Sequence, residues 1–294
     1  MASRTGSKFK KVLYIFLSFI LSFLLFFFSV SVVCELTIFN KDFVLNTMSS
    51  TDYYETKEEE ITRSLMDLGY ASGLEESFFD GVISKSLLCG DTTEYLNNFY
   101  SGNGSVIDTE NFKNTFNNAL DEYIKEKEIN PESVKESSRN YLISNAAKIY
   151  KNSLELPLFN SIAGYFIGIK NAMPIVICIV GVLILLICVI FVFSTRWRHR
   201  PAKYICYATT TAFLTIFVPA VVIMVSGKMK QFNIASKATY DLFISLTNGF
   251  VMGLFFASIL FAVVSIVLYV LYRRLYPKHN SHSGSSHLIA NATA

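Results

Sequence analysis

The chain has 294 residues, of which 52% are hydrophobic and only 17% are charged. Soluble domains carry about 25% charged residues, and here the apolar residues are concentrated in a few long runs. This composition excludes an ordinary soluble protein and indicates a membrane protein. The formal charge of +3 averages two opposite populations, so it does not indicate a nucleic-acid partner.

The charges are divided unevenly along the chain. Residues 35–170 contain 22 Asp and Glu against 12 Lys and Arg, and hence carry a net charge of −10. The rest of the chain holds 14 Lys and Arg and one acidic residue, Asp241. We interpret residues 35–170 as one soluble module that apolar helices hold on one side of a membrane.

Four apolar runs are long enough to cross a membrane, because about 20 residues at about 1.5 Å each cover a hydrocarbon core of roughly 30 Å. A cleaved leader or a lipidated Cys34 would be alternatives for the first run. Its 22 residues exceed the usual apolar region of a leader, and Phe26, Phe27 and Phe28 continue into Val32 and Val33 instead of leading to a small-x-small cleavage site. We therefore predict a retained helix. The four runs are residues 12–33, 172–193, 204–226 and 249–272, and none contains Asp, Glu, Lys, Arg or His.

Lys and Arg in the short flanking segments predict the orientation, because they are kept on the cytoplasmic side. The N-terminus supplies four of them, residues 196–203 another four, and residues 273–278 three. The only short loop on the opposite side offers Lys228, Lys230 and Lys237. The sequence therefore predicts a multi-pass cell-membrane protein with both termini cytoplasmic and residues 34–171 extracytoplasmic.

The predicted fold class is an all-α membrane protein, with four transmembrane helices and a helical extracytoplasmic domain inserted between spans 1 and 2. Its parts are a cytoplasmic N-terminus (1–11), transmembrane helix 1 (12–33), the extracytoplasmic helical domain (34–155), an amphipathic or interfacial connector (156–171), transmembrane helix 2 (172–193), a cytoplasmic loop (194–203), transmembrane helix 3 (204–226), an extracytoplasmic loop (227–248), transmembrane helix 4 (249–272) and a disordered cytoplasmic tail (273–294).

Capping signals predict helices in the acidic segment. Asp91, Asp108 and the Asn130–Pro131 pair are typical of helix starts. We predict helices near 52–70, 74–88, 91–100, 108–128 and 131–153, with a loop at 101–105. Two apolar stripes with a spacing of four residues predict faces that share a core. They comprise Phe112, Phe116, Leu120 and Ile124, and then Tyr141, Asn145 and Ile149 with their neighbours Leu142 and Ala146.

The acidic module has no catalytic constellation. All four histidines lie in segments predicted to be cytoplasmic, so the module lacks the imidazole of a Ser-His-Asp or Cys-His mechanism and of a His-ligated zinc site. The run of Glu58, Glu59 and Glu60 is typical of a solvated helix face, and no EF-hand order is present. We predict no enzyme, no cofactor and no metal, and leave open whether Cys34 and Cys89 pair.

Two patterns in the spans are candidate sites. Ser245, Gly249, Gly253 and Ala257 recur every four residues and predict a close helix contact, either within the bundle or with another subunit. In the third span, Thr211 and Thr215 either bond back to their own helix or line a polar path. The spans contain no ionisable residue, which argues against an ion-coupled transporter.

Two functions fit these features. The favoured one is a binding or scaffold protein of the cell envelope, whose acidic extracytoplasmic domain contacts a ligand or partner protein and couples it to a membrane complex. The alternative is a subunit of an oligomeric membrane channel or pore. The predicted partners are the lipid bilayer, a protein in or outside the membrane, and a second copy in a homo-oligomer, but no nucleic acid.

Overall fold

The described part of the chain is helical. A computed structural model describes residues 2–70, 72–104, 106–130, 135–194, 199–227 and 234–275. These residues form nine α-helices and one 3₁₀ helix, Glu76–Phe79, with no β-strand among them. The all-α prediction is confirmed. The helices are α1 (Ala2–Leu36), α2 (Lys41–Ser50), α3 (Tyr53–Tyr70), α4 (Lys85–Ser101), α5 (Glu110–Glu126), α6 (Glu136–Leu154), α7 (Pro157–Ser194), α8 (His199–Ser226) and α9 (Lys237–Leu275).

Four of these helices, α1, α7, α8 and α9, are long and apolar enough to span a membrane. This number confirms the four predicted apolar spans. Four such helices are typical of a multi-pass membrane protein. Their apolar stretches are Lys10–Leu36, Ile162–Ser194, Arg200–Ser226 and Lys237–Leu275.

All four helices begin earlier than the predicted spans, and α7 and α9 do so by the most residues. α7 begins at Pro157, so the predicted connector belongs to the same helix as the second span. α9 begins at Lys237, so the second half of the predicted loop 227–248 is helical. Both added segments pack side chains into a protein core, where Phe166 and Leu242 are buried. Tertiary packing thus extends these helices beyond the length that a bilayer requires.

We call residues 37–156, which contain α2 to α6, the interspan module. Its first helix, α2, is absent from our prediction, although the Asn40 side chain accepts hydrogen bonds from the N–H groups of Asp42 and Phe43 and caps it. The predicted helix 74–88 is wrong. Gly81 adopts a φ of 79° there, and the Ser84 hydroxyl caps a new helix. Asp91 therefore lies inside α4 rather than at its start.

The described residues separate into two compact units. The first comprises residues 29–179 and 219–255 and contains the interspan module. Its core is rich in aromatic residues: Phe112 and Phe116 are fully buried, and the Phe112 ring stacks on Tyr150 with 4.3 Å between centroids. The stripe predicted on α5 is thereby confirmed through Leu120, which is buried, while Ile124 packs at the edge of the core.

The second predicted stripe is half wrong. Leu142 and Ala146 are buried, but Tyr141 is 71% exposed. The residues one position further along α6 face the core instead, and they include Tyr150 and Leu154. The predicted start of this helix at Pro131 lies outside the described residues, and α6 is described from Glu136.

The second unit comprises residues 1–28, 180–218 and 256–294, of which 2–28, 180–194, 199–218 and 256–275 are described. Its buried hydrophobic cluster is small, with Leu21 and Phe191 fully buried. Hydroxyl groups join its helices: Tyr14 donates to the carbonyl of Ser194 at 2.9 Å, and Ser18 donates to that of Tyr204 at 2.8 Å.

Candidate functional site

A charged cluster joins α3 to the start of α9. The Lys57 side chain is only 2% exposed, and its Nζ lies 3.1 Å from Glu60 Oε2. Nζ also donates a hydrogen bond to Ser236 Oγ at 2.7 Å. A buried ammonium needs both a counter-charge and hydrogen-bond acceptors, and this one has both. One acceptor lies just before α9, far from α3 in sequence.

Glu60 binds the first turn of α9. Its Oε1 accepts the N–H of Ala238 at 3.1 Å, and its Oε2 accepts the Ser236 hydroxyl at 2.7 Å. Ser236 Oγ in turn accepts the N–H of Thr239 at 3.1 Å. The first N–H groups of a helix lack partners within the helix and carry partial positive charge, so a carboxylate is favourable there. We call Lys57, Glu60, Ser236 and Ala238 the α3–α9 clamp.

The two ionisable groups of the clamp respond differently to burial. Burial lowers the pKa of Lys57, and the nearby Glu60 carboxylate opposes this shift. Burial alone would raise the pKa of Glu60, but the hydrogen bonds from Ser236 and Ala238, together with the Lys57 ammonium, outweigh it and lower the pKa on balance. The carboxylate is therefore the charged form that α9 and Lys57 jointly stabilise.

Beyond the clamp, towards its C-terminal end, α9 packs against other helices of the same chain. Ala238 and Leu242 are buried in the core of the first unit. A Cβ atom at Gly249 would lie 2.5 Å from the Phe43 ring, and one at Gly253 would lie 2.9 Å from Val33. These two small residues of the predicted contact stripe therefore allow α2 and α1 to approach closely. The other two, Ser245 and Ala257, are half-buried.

The two threonines of the predicted polar path lie on the exposed side of α8. Thr211 Oγ1 donates to the Tyr207 carbonyl and Thr215 Oγ1 to the Thr211 carbonyl, each at 2.9 Å. Both hydroxyls are thus satisfied by their own helix. Sequence reasoning missed a polar contact on another side of α8, where the hydroxyls of Thr210 and Ser265 lie 2.5 Å apart.

The surface of α3 away from the clamp is acidic. Glu55, Glu58, Glu59 and Asp80 line a hollow of about 500 Å³, in which Arg63 is the only basic side chain among the described residues. Glu55 also pairs with Lys85 on the rim. The predicted solvated run of glutamates is therefore divided, because Glu58 and Glu59 face this hollow while Glu60 belongs to the clamp. We call the four acidic residues the α3 acidic face.

The remaining candidate groups have structural roles. Asp91 is buried and accepts a hydrogen bond from Tyr150 at 2.6 Å. Burial raises its pKa, although the bond from Tyr150 opposes this shift. Cys34 and Cys89 are free thiols. Within the described ranges, no group of three His, Cys, Asp or Glu side chains is arranged to hold a metal ion.

Sequence reasoning could have found one half of the clamp. Lys57 and Glu60 are three residues apart on a helix, a spacing at which opposite charges meet. Ser236 lies 176 residues from Glu60, and no local pattern predicts that contact.

Comparison with known proteins adds no information: no protein-family model matches the chain, and no curated protein or solved structure matches it either.

Proposed function

We propose that the chain is an integral membrane binding protein of the cell envelope. In this proposal the interspan module is extracytoplasmic, contacts a protein partner and couples that contact to the membrane helices. One observation carries the proposal: a single helix, α3, has the three glutamates of the acidic face on one side and holds α9 through the clamp on the opposite, buried side. A partner bound to the face would therefore act on a helix that holds α9 directly.

The connection between module and membrane helices also supports coupling. α7 continues from Pro157 to Ser194 and α9 from Lys237 to Leu275 without a break. Phe166 of α7 and Leu242 of α9 are both buried in the core that includes the interspan module. A module joined through flexible linkers could bind a partner without affecting the spans. A module that shares its core with the spans transmits a displacement to them.

The charge of the acidic face indicates the partner's chemistry. Three glutamates and one aspartate surround the hollow, against one arginine. A partner with a basic surface would complement this field. Because three of the four carboxylates are exposed, the attraction should weaken as ionic strength rises and the Debye length falls to about 8 Å at physiological salt.

Charge reversal on α3 tests the proposal. We expect the Glu55→Lys, Glu58→Lys, Glu59→Lys triple variant to lose the partner that a photo-crosslinking residue at an adjacent position, Thr62, captures in intact cells. The matched control reverses Glu122, Glu126 and Glu128 on and after α5, which changes the net charge equally. Retention of the partner by the control and its loss from the α3 variant would support the proposal. Equal loss from both would show that net charge, not this face, attracts it.

The channel alternative and the orientation need separate measurements. Selective ion flux through liposomes that hold the purified protein, abolished by bulky residues at Thr211 and Thr215, would favour a channel over a binding protein. For the orientation, a membrane-impermeant thiol reagent should label a cysteine introduced at Ser101 but not one at Ser285. The reverse labelling pattern would contradict an extracytoplasmic module.

A further inference from the structure

A second cavity lies where α1 ends, α2 begins and α4 ends beside α7. Its volume is about 480 Å³, which falls within the range of ligand pockets, roughly 300–1,000 Å³. All of its lining residues belong to the first unit. Its polar lining includes Glu35, Lys41, Asn97, Tyr100, Ser101 and Lys170.

Two of the lining residues mark one edge of the membrane. Glu35 is the first charged residue after the uncharged stretch 12–34 of α1, and Lys170 is the last one before the uncharged stretch 171–194 of α7. At about 1.5 Å per residue, each stretch is about 35 Å long, slightly more than a hydrocarbon core. Both residues therefore lie at headgroup depth, on the side of the interspan module.

The cavity is lined by two ammonium groups that form no ion pair with a described carboxylate. Lys41 Nζ donates to Asn97 Oδ1, and Lys170 Nζ donates to the Tyr100 carbonyl, each at 2.7 Å. Among the described residues, neither lysine forms an ion pair with a carboxylate. An ammonium group has three N–H donors. Each lysine thus keeps two donors and a full charge for an anion such as phosphate.

The same cavity is lined by a residue, Glu35, whose carboxylate lacks a donor. Glu35 Oε2 is buried and has no hydrogen-bond partner in the described part of the chain. A buried carboxylate oxygen without a partner is costly, so it indicates a missing donor. The cavity therefore combines two positive groups for an anion with one acceptor for a nearby N–H or O–H group.

We propose that this cavity binds the headgroup of a membrane phospholipid that carries a hydrogen-bond donor beyond its phosphate. The phosphate contacts Lys41 and Lys170, and an ammonium or hydroxyl group of the headgroup donates to the Glu35 carboxylate, which lines the cavity. Leu36 lines the cavity and is 61% exposed, so an apolar side chain borders the cavity where the glycerol and acyl groups continue. A bound lipid would fasten the interspan module to α1 and α7.

Phosphatidylethanolamine and phosphatidylcholine provide a matched test, since they share the phosphate and net charge but only the first has N–H donors. The delipidated full-length protein in detergent is titrated with each lipid, and the adducts are counted by native mass spectrometry. We expect phosphatidylethanolamine to bind about fivefold or more tightly, as a charge-assisted hydrogen bond allows. Equal binding of the two lipids would overturn the proposal without any variant.

Three variants assign the contacts. The Lys41→Gln, Lys170→Gln double variant should bind both lipids about tenfold or more weakly, because the two positive charges that contact the phosphate are lost. Glu35→Gln should abolish the preference for phosphatidylethanolamine and leave phosphatidylcholine binding unchanged. Lys148→Gln, an exposed lysine on α6 outside the cavity, serves as the control. Circular dichroism identifies variants that fail to fold.

Two further outcomes would overturn the proposal. Unchanged lipid binding in the folded lysine variant would show that the lipid adducts lie elsewhere on the protein. Displacement of bound lipid by soluble phosphoethanolamine at equal concentration would show that the cavity selects a soluble phosphate ester rather than a membrane lipid. No displacement by this soluble headgroup is the result that supports a lipid in the bilayer.

Discussion

The two compact units of this chain are stabilised in different ways. The unit that contains the interspan module has a continuous aromatic core and an ion pair whose lysine is buried. In the described part of the other unit, the buried cluster has only five hydrophobic residues, and hydroxyl groups bond to carbonyls across helices. Both units are rich in phenylalanine, so residue type alone does not explain the difference.

The solvent explains it. In water, burial of apolar surface stabilises a fold by roughly 25 cal/mol per Å², so the aromatic residues of the module collect in a core. In hydrocarbon, lipid tails are as apolar as the side chains, and helices associate through close packing and a few hydrogen bonds. An exposed phenylalanine is therefore a defect in the module but an ordinary lipid contact in a span. The comparison leads to five predictions.

Phenylalanine truncation should have the largest effect and separate the two units directly. Phe112→Ala removes a fully buried ring that stacks on Tyr150 and should lower the free energy of unfolding by about 3–5 kcal/mol. Phe19→Ala, at a position 64% exposed in α1, should change it by less than about 0.5 kcal/mol. Denaturant unfolding in detergent, followed by circular dichroism, measures both. Similar losses would mean that Phe19 packs against protein.

The clamp should respond asymmetrically to removal of its two charges. Glu60→Gln leaves the Lys57 ammonium buried without a counter-charge and should cost about 3 kcal/mol. Lys57→Met removes that buried charge, while Glu60 keeps its bonds to Ser236 and Ala238, so the cost should stay below about 1 kcal/mol. Glu59→Gln, on the exposed side of α3, is the control. The same unfolding assay measures both costs. Equal costs for the two clamp variants would contradict a buried Lys57 that requires the charge of Glu60.

Small residues should matter only where a neighbour is close. Gly249→Leu forces a side chain into Phe43, which a Cβ atom would already approach to 2.5 Å, and should destabilise by about 2 kcal/mol. A Cβ atom at Gly164 on α7 would meet nothing within 4 Å. Gly164→Leu should therefore be neutral or stabilising by up to about 1 kcal/mol, because glycine is a poor helix former. Thermal melting in detergent distinguishes them. A comparable loss at Gly164 would reveal a contact with another subunit.

The buried carboxyl of Asp91 should give the module a characteristic pH dependence. Because burial raises its folded-state pKa, the folded state holds this proton more tightly than the unfolded state, and stability falls as pH rises from 3.8 through the raised value. Asp91→Asn keeps an acceptor for Tyr150, removes that decline and should change stability by less than about 1 kcal/mol at neutral pH. Glu60, whose pKa is lowered, should contribute the opposite slope below pH 4.5. Melting temperatures between pH 3 and 7 test both signs.

Periodicity and length predicted much of this architecture. The four apolar helices follow from uncharged runs that no soluble fold would tolerate, and the buried face of α5 follows from its four-residue spacing. Local sequence rules failed at two places in the interspan module. Tyr141 shares the spacing of a core stripe, yet the adjacent face of α6 is the buried one. Gly81 and Ser84 interrupt the stretch 74–88, which we predicted to be one helix.

The contact between the clamp and α9, and the cavity lined by Lys41 and Lys170, could not be predicted from the sequence. Lys57 and Glu60 meet Ser236 only after α9 has packed on α3, and the cavity requires the ends of α1 and α4 to lie beside α7. In both cases tertiary structure decides whether a charged residue, of a type that is usually exposed to solvent, has a partner. Such sites depend on the packing of distant segments, which local sequence patterns do not report.

The threonines of α8 should have the smallest effect, and they test whether a polar residue in a span implies a polar path. Thr211→Val and Thr215→Val remove hydroxyls that bond only to the helix backbone, so the double variant should change stability by less than about 0.5 kcal/mol. Thr210→Val is the contrasting change, because its hydroxyl also meets Ser265 of α9. We expect it to cost about 0.6 kcal/mol, as interhelical hydrogen bonds in membranes do. A larger loss from the Thr211 and Thr215 pair, or altered ion flux in liposomes, would mean that these hydroxyls face water or a second copy of the chain.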